Sequence, residues 1–216
     1  MIRPFGIGEF WFIASATIWT LALTAIAFGG GTVGGFLVAM GRVSPYAWLR
    51  WVMAAIIRIF QGTPLLMQLF LAYFGAAMMG FNVSPWTAAA IGLTAHASAF
   101  LGEIWRGCIQ AVPSGQWEAS TALGLNYWTK MRYVVLPQAF KISLAPSVGF
   151  LVHLLKGTSL AAIIGFVELT RAGQIINNVT FQPFKVFITV AGIYFLLCWP
   201  LSLLASRLER KQAKGR

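Results

Sequence analysis

Acid is scarce in this chain. Its 216 residues include five acidic side chains, all Glu, against 16 Lys and Arg. Charged residues of every kind make up 10%, where a soluble domain carries roughly 25%. So few carboxylates leave little material for paired-carboxylate catalysis. Cys108 and Cys198 are the only cysteines and lie far apart, which indicates neither a disulfide framework nor a metal site. No G-x-x-x-x-G-K-[ST] phosphate loop occurs, so the chain is not a P-loop ATPase. No Ser/Gly linker, low-complexity tract or internal repeat divides it, and residues 1–216 read as one domain.

Apolar residues, at 58%, come in long runs. Phe10 to Met40 holds no charge at all. That run is too long for a signal-peptide core and reads as a retained first span. Five spans fit, at about 11–40 (its last turns outside the hydrocarbon), 50–75, 86–105, 145–165 and 186–205, each long enough to cross a bilayer, which takes roughly 20 residues. The expectation is an all-α integral membrane protein.

Charge sets its orientation. With the N-terminus outside, the inner segments hold Arg42, Arg50, Arg106, Lys130, Arg132, Lys141 and a tail with Arg207, Arg210, Lys211, Lys214 and Arg216. The outer segments hold Arg3, Arg171 and Lys185. Basic residues favour the cytoplasmic side, so the N-terminus is placed outside and the C-terminus in the cytoplasm. The net charge of +11 is thereby explained by membrane topology, and nucleic acid is not an expected partner.

Gly29-Gly30-Gly31-Thr32-Val33-Gly34-Gly35 lies within the first span. Gly30/Gly34 and Gly31/Gly35 share a helix face, which lets a neighbouring backbone approach. A kinked or frayed helix end is the other reading, since each glycine costs about 1 kcal/mol relative to Ala.

Between spans three and four, residues 106–142 turn amphipathic. Ser114 is placed to cap a short helix, Gly124 to end it, and Asn126 to cap a second helix, Tyr127 to Leu136, which Pro137 kinks or stops. Trp117, Leu123, Leu125, Tyr127 and Trp128 fall near the tip. By pattern alone these aromatics suit a protein interface or a membrane-surface helix.

Ionisable residues within spans are costly and usually functional. Arg58 and Glu103 read as interfacial anchors or as a structural Arg–Glu pair, and His96 as a buried, hydrogen-bonded histidine. Lys156, mid-span and followed by Gly157, Thr158 and Ser159, sits where a helix is weakened, as in the broken helices of transporter sites.

Glu118-Ala119-Ser120, with Gly124 six positions after Glu118 and then Val134-Val135-Leu136-Pro137, resembles the EAA motif of ABC importer permeases. Ser120 stands for the second Ala and Val134 for Ile. Arg58-Ile59-Phe60-Gln61-Gly62-Thr63-Pro64-Leu65-Leu66, Glu103-Ile104-Trp105-Arg106-Gly107, Lys156-Gly157-Thr158-Ser159-Leu160 and Glu168-Leu169-Thr170-Arg171 are similar to further segments of the histidine/glutamine-type group of amino-acid importers. The likeness covers nearly the whole chain. It implies a permease of the bacterial cytoplasmic (inner) membrane, with a cytoplasmic coupling loop at 106–142.

The implied partners are a second permease subunit, identical or related, a pair of ATPases that bind ATP–Mg, and a periplasmic or lipid-anchored solute-binding protein. No cofactor is expected in this chain, and no enzymatic activity. Glu118, Ala119, Ser120, Gly124, Leu136 and Pro137 would couple to the ATPase. Thr63, Pro64, Phe150, Lys156, Thr158, Ser159 and Glu168 would belong to the substrate pathway. Arg58, Glu103 and Arg106 would be structural charges. In related permeases an acid early in the fourth span meets a cationic substrate. Gly149-Phe150 stands there in this chain, which points to a neutral or acidic amino acid. The competing readings are an ion-coupled secondary transporter or channel subunit, and a structural subunit of an unrelated complex.

Overall fold

A computed structural model describes residues 4–214. Arg3 and Arg216, counted above among the basic residues, lie outside them. Among the described residues every regular element is helical. The chain runs through α1 (Ile7–Ser15), α2 (Thr17–Val43), α3 (Ala47–Gly62) and α4 (Leu65–Phe70), then a π turn (Leu71–Gly75) into α5 (Ala76–Met78). There follow α6 (Pro85–Gln110), α7 (Ser114–Ala122) and α8 (Tyr127–Lys130), with a second π turn (Met131–Val135) leading into α9 (Leu136–Gly157). A 3₁₀ stretch (Thr158–Ile164), α10 (Leu169–Thr180) and α11 (Pro183–Lys214) complete it.

The glycine run settles as a packing device. A Cβ on Gly31 would lie 2.4 Å from that of Ala97, and one on Gly34 would lie 2.2 Å from Ser98 Oγ. Gly30 faces Thr94, Gly35 faces Leu101, and Gly102 returns the favour to Val38. Rising numbers on α2 meet rising numbers on α6, so the two helices run parallel in direct backbone contact. Ser84 opens α6 by accepting from Thr87 N–H at 3.2 Å, and Pro85 takes the first helical position, where its missing N–H costs nothing.

Directions of the other helices follow from their contacts. Trp105 of α6 donates to Ser147 Oγ of α9 at 2.9 Å, while His96 stacks 6.3 Å from Phe150, so α6 and α9 are antiparallel. Cys198 packs with Val152 and Leu155, and Gln212 donates to the Lys141 carbonyl, so α9 and α11 are antiparallel too. Since α2 and α6 point the same way, the segment between them must return the full height of the bundle.

Among the described residues three runs are long and apolar enough to cross a membrane: Ile7–Val43, Tyr127–Ile164 and Pro183–Gln212. Ala47–Gly62 and Leu65–Met78 make a fourth only as a pair bent by 105°. This corrects the expected second span at 50–75, which is not one helix. Pro64 cannot donate to the turn before it and biases Thr63 towards extended backbone, and Thr63 has φ −117° and ψ 141°. The expected third span corresponds to α6. At 26 residues it is about 39 Å long, but it is less apolar than those three runs. Its small residues face α2, and His96, Glu103 and Arg106 lie along it.

Of the two outcomes expected at Pro137, a kink or a stop, the stop does not occur. The helix begun at Tyr127 continues to Ile164 over 38 residues, absorbing the separate fourth span expected at 145–165. The π turn just before Pro137 widens the hydrogen-bonding pattern. Leu136 N–H bonds to the Met131 carbonyl five residues back, which takes up the proline's steric clash without ending the helix.

Candidate functional site

Two regions carry the residues singled out by sequence. The first is the protrusion between α6 and α9. Pro113 precedes α7, and Ser114 is its first helical residue with no side-chain cap, so the expected Ser114 cap does not form. The other end closes as anticipated. Gly124 has φ +71°, Gly124 N–H bonds to Thr121 O and Leu125 N–H to Ser120 O. These two bonds make a Schellman closure, which favours glycine at the left-handed position. Asn126 then accepts from Thr129 N–H at 2.9 Å and caps α8.

The protrusion is seated on a small core built from Ile109, Val112, Met131, Val135 and Ala139, with Trp117, Tyr127, Val134 and Leu136 around them and Met40 and Val43 of α2 against it. Trp117 and Tyr127 therefore face inward rather than standing at the tip. Glu118, Ala119, Gly124 and Pro137 are exposed. Leu123 is 78% and Trp128 58% exposed, whereas Ser120 is 2% exposed, its hydroxyl donating to the Trp117 carbonyl. The six predicted coupling residues thus divide between an outward face and a supporting side.

The second region is the break at Thr63-Pro64. Gln68 splints it. Its Nε2 donates to the Phe60 carbonyl at 2.7 Å and to Thr63 O and Oγ1 at 3.0 Å each. Its Oε1, an acceptor, faces His96 Nδ1 at 3.0 Å, which assigns the imidazole proton to Nδ1. His96 Nε2 is then a bare acceptor, buried and without a partner. The ring stacks on Phe100 at 4.3 Å and lies beside Phe150.

The break meets a second irregularity. A Cβ on Gly157 would lie 3.0 Å from Leu65, where α9 gives way to the 3₁₀ stretch. Thr63, Pro64, Lys156, Thr158 and Ser159 are thereby gathered around one level of the bundle. Thr158 is fully buried and donates to the Leu155 carbonyl, and Ser159 donates to the Lys156 carbonyl. Lys156 is exposed, and among the described residues no carboxylate lies within ion-pair distance of it. His153, exposed one turn earlier on α9, shares its face.

Glu168 stands apart from this cluster. It is completely enclosed and caps α10, accepting from Thr170 and Arg171 N–H at 2.8 Å each and from the Tyr194 hydroxyl at 2.9 Å. Leu169 N–H reaches Thr20 Oγ1 of α2 at 3.2 Å. Burial pushes the carboxyl pKa up, while the two backbone N–H groups and the Tyr194 and Thr170 hydroxyls pull it down. In this arrangement the side chain joins α10 to α11 and faces no open path.

The Arg58–Glu103 pairing does not form. Glu103 binds Arg106 three residues on, with Nε–Oε2 at 2.8 Å and Nη2–Oε1 at 2.5 Å, and Arg106 also reaches Gln110. Arg58 is exposed. Gln68 is the site residue that sequence reasoning missed. A lone amide four residues past a proline in an apolar run was the available signal.

The chain matches the family described as binding-protein-dependent transport system inner membrane component over residues 31–214. It is 37% identical over 207 residues to the probable amino-acid ABC transporter permease protein YckA of Bacillus subtilis (strain 168), covering 96% of this chain and 92% of that one. It is 34% identical to the glutamine transport system permease protein GlnP of Escherichia coli (strain K12), covering 92% and 90%. A chain from the crystal structure of an amino acid ABC transporter with histidines superposes with a TM-score of 0.87 at 38% identity, over 93% of this chain and 94% of that one.

Proposed function

The chain belongs to the family of binding-protein-dependent transport system inner membrane components, and from that premise we propose that it imports a polar amino acid, neutral or acidic rather than cationic, driven by ATP hydrolysed on a separate subunit. It is a transport subunit and not an enzyme. In this reading it works beside a second permease subunit, above two ATPases and below a solute-binding protein. Five crossings carry it through the membrane. The alternating directions of α2, the return segment, α6, α9 and α11 favour that count. The basic residues favour an outer N-terminus and a cytoplasmic C-terminus.

The observation that carries the ATP-coupled reading is the protrusion itself. A helix pair capped at its turn by Gly124 and Asn126 and seated on a core shared with α2 and α6 holds Leu123 and Trp128 out to solvent, and exposed aromatic side chains of that kind are interface anchors. Glu118, Ala119, Ser120, Gly124, Leu136 and Pro137 build it. ATP-driven approach of the two ATPases would move the protrusions together. The ATPases supply a bias because they bind ATP differently in the two states.

The cargo reading rests on the mid-bundle cluster. Broken helices at this level are where transporters place substrate. Phe150 stands where an acid would be needed for a cation, buried beside Phe100 and His96, and Lys156 offers an unpaired ammonium that suits a carboxylate. Thr63, Pro64, Thr158 and Ser159 frame the same level. The enclosed Glu168 supports the pathway from outside it, as a clamp on α10.

The test is uptake into liposomes carrying the permease, its ATPase and its binding protein. Glutamine or glutamate should enter only with ATP, and arginine should not. Selective arginine uptake would defeat the cargo reading, and uptake driven by an ion gradient alone would defeat the whole of it.

A further inference from the structure

We infer that Tyr127 is the joint through which motion of the protrusion reaches the broken return segment. This rests on the reading of the protrusion as an ATPase-driven lever.

The last carbonyls of a helix have no partners within it and must be satisfied from elsewhere. At the end of α2 three successive carbonyls are held from two sides. The Tyr127 hydroxyl donates to the Val43 carbonyl at 2.5 Å. Arg50, on the first turn of α3, donates through Nη1 to Ser44 O at 2.9 Å and to Pro45 O at 2.8 Å. Arg42 closes the elbow by donating back to the Arg50 carbonyl at 3.4 Å. One short turn is thus gripped by the protrusion on one side and by α3 on the other.

The grip is stiff on the protrusion's side. Tyr127 follows Asn126, whose cap fixes the start of α8, and the Schellman closure at Gly124 lies just before that. The ring packs in the core that contains Met40 and Val43 of α2. Among the hydrogen bonds of residues 114–130, that of Tyr127 is the one that lands on α2. On the far side, α3 runs without interruption to Gly62, where Gln68 ties the break to His96. A displacement of α7 and α8 must therefore either drag the 43–46 turn and α3 with it or break the tyrosine bond.

Tyr127 is a positioning residue in this scheme and touches no cargo. A structural anchor would affect yield; a joint affects how much ATP each imported molecule consumes. The experiment uses the complete importer in liposomes and measures ATP hydrolysed per amino acid imported. Tyr127→Phe keeps the ring and removes the hydroxyl. The expected result is a rise of roughly fivefold in that ratio, the factor associated with one hydrogen bond's worth of coupling, with yield and basal hydrolysis unchanged. Arg50→Gln should raise it as well, and the double variant should be no worse than the more affected single one, because both act on the same turn.

An unchanged ratio in Tyr127→Phe overturns the inference. Should that variant fail to assemble, an unchanged ratio in Arg50→Gln overturns it instead. A wild-type complex that imports without ATP overturns the lever reading and this inference with it. A wild-type complex that needs ATP beside an indifferent Tyr127→Phe leaves the lever reading standing alone.

Discussion

The α2–α6 pair and the α3–α5 return segment cover the same height of the molecule by opposite means. The pair is unbroken, and its glycines and small side chains bring two backbones into contact. The return segment is snapped at Thr63-Pro64, bent by 105°, splinted at the break by the Gln68 amide and packed on the core through Leu69. Close packing in the first makes any shift of one helix against the other costly, because interiors packed to that density transmit strain. Hydrogen bonds from Gln68 in the second can be exchanged at modest cost. The contrast separates a closely packed seam from a hydrogen-bonded bend; Thr63 and Pro64 of the candidate pathway sit on that bend, and the Tyr127 elbow ties the start of the same segment to the foot of α2.

The strongest way to break the comparison is to overfill the seam. Gly31→Leu puts a side chain where even a Cβ would lie 2.4 Å from Ala97. Overpacking costs about 1–3 kcal/mol, and more where backbone is in the way. The expected outcome is loss of assembled permease, read as the yield of monodisperse protein after detergent extraction. Normal yield would show that the seam is looser than described.

Gln68→Ala sharpens the contrast from the other side. It frees the Phe60 carbonyl and leaves His96 Nδ1–H without its acceptor. Each unsatisfied buried group costs about 1–3 kcal/mol. Uptake should fall at least tenfold while the extracted protein remains intact, measured by transport and size-exclusion profile on the same preparation. Equal loss of both would make the bend as structural as the seam.

Glu168→Ala removes the α10 cap and should cost about 1–2 kcal/mol, read as a lower midpoint in a thermal unfolding scan. The pH dependence has a definite sign. Burial raises this carboxyl's pKa on folding, so its stabilising contribution is full below the unfolded pKa and fades as pH rises through the folded one. Relative to wild type, the Ala variant should lose most in acid and least towards neutral pH. The smallest effect belongs to Ser120→Ala, which trades one hydroxyl bonded to the Trp117 carbonyl for the alanine usual in the motif. A change under about 0.5 kcal/mol and unaltered uptake are expected, checked by the same scan and by transport.

Much of the fold was legible where the cause is local. Gly124 and Asn126 do what their chemistry dictates within one turn, and the apolar runs gave the long helices. The glycine run allowed two readings because only the partner helix, some sixty residues on, decides between them. Pro137 does not stop its helix because a π turn, invisible to a periodicity count, absorbs it. The sharp bend needed Gln68 and His96 to be seen together. The resemblance puts Glu168 with the pathway, and the sequence alone does not reveal that Tyr194 and two backbone N–H groups bond it. Glu103 had its partner one turn away in sequence, at Arg106, and distance along the chain was the better guide.

The side-by-side, same-direction course of α2 and α6 also limits how the protein can be made. Two neighbours joined by a tight hairpin could enter the bilayer together, but this seam cannot close that way. In the five-crossing reading residues 44–84 are laid back across the lipid, and the chain must be made well past Gly102, before α2 finds its mate. Until then the glycine face of a nascent α2 stands bare in the membrane, the stage at which an insertase or chaperone would have something to hold.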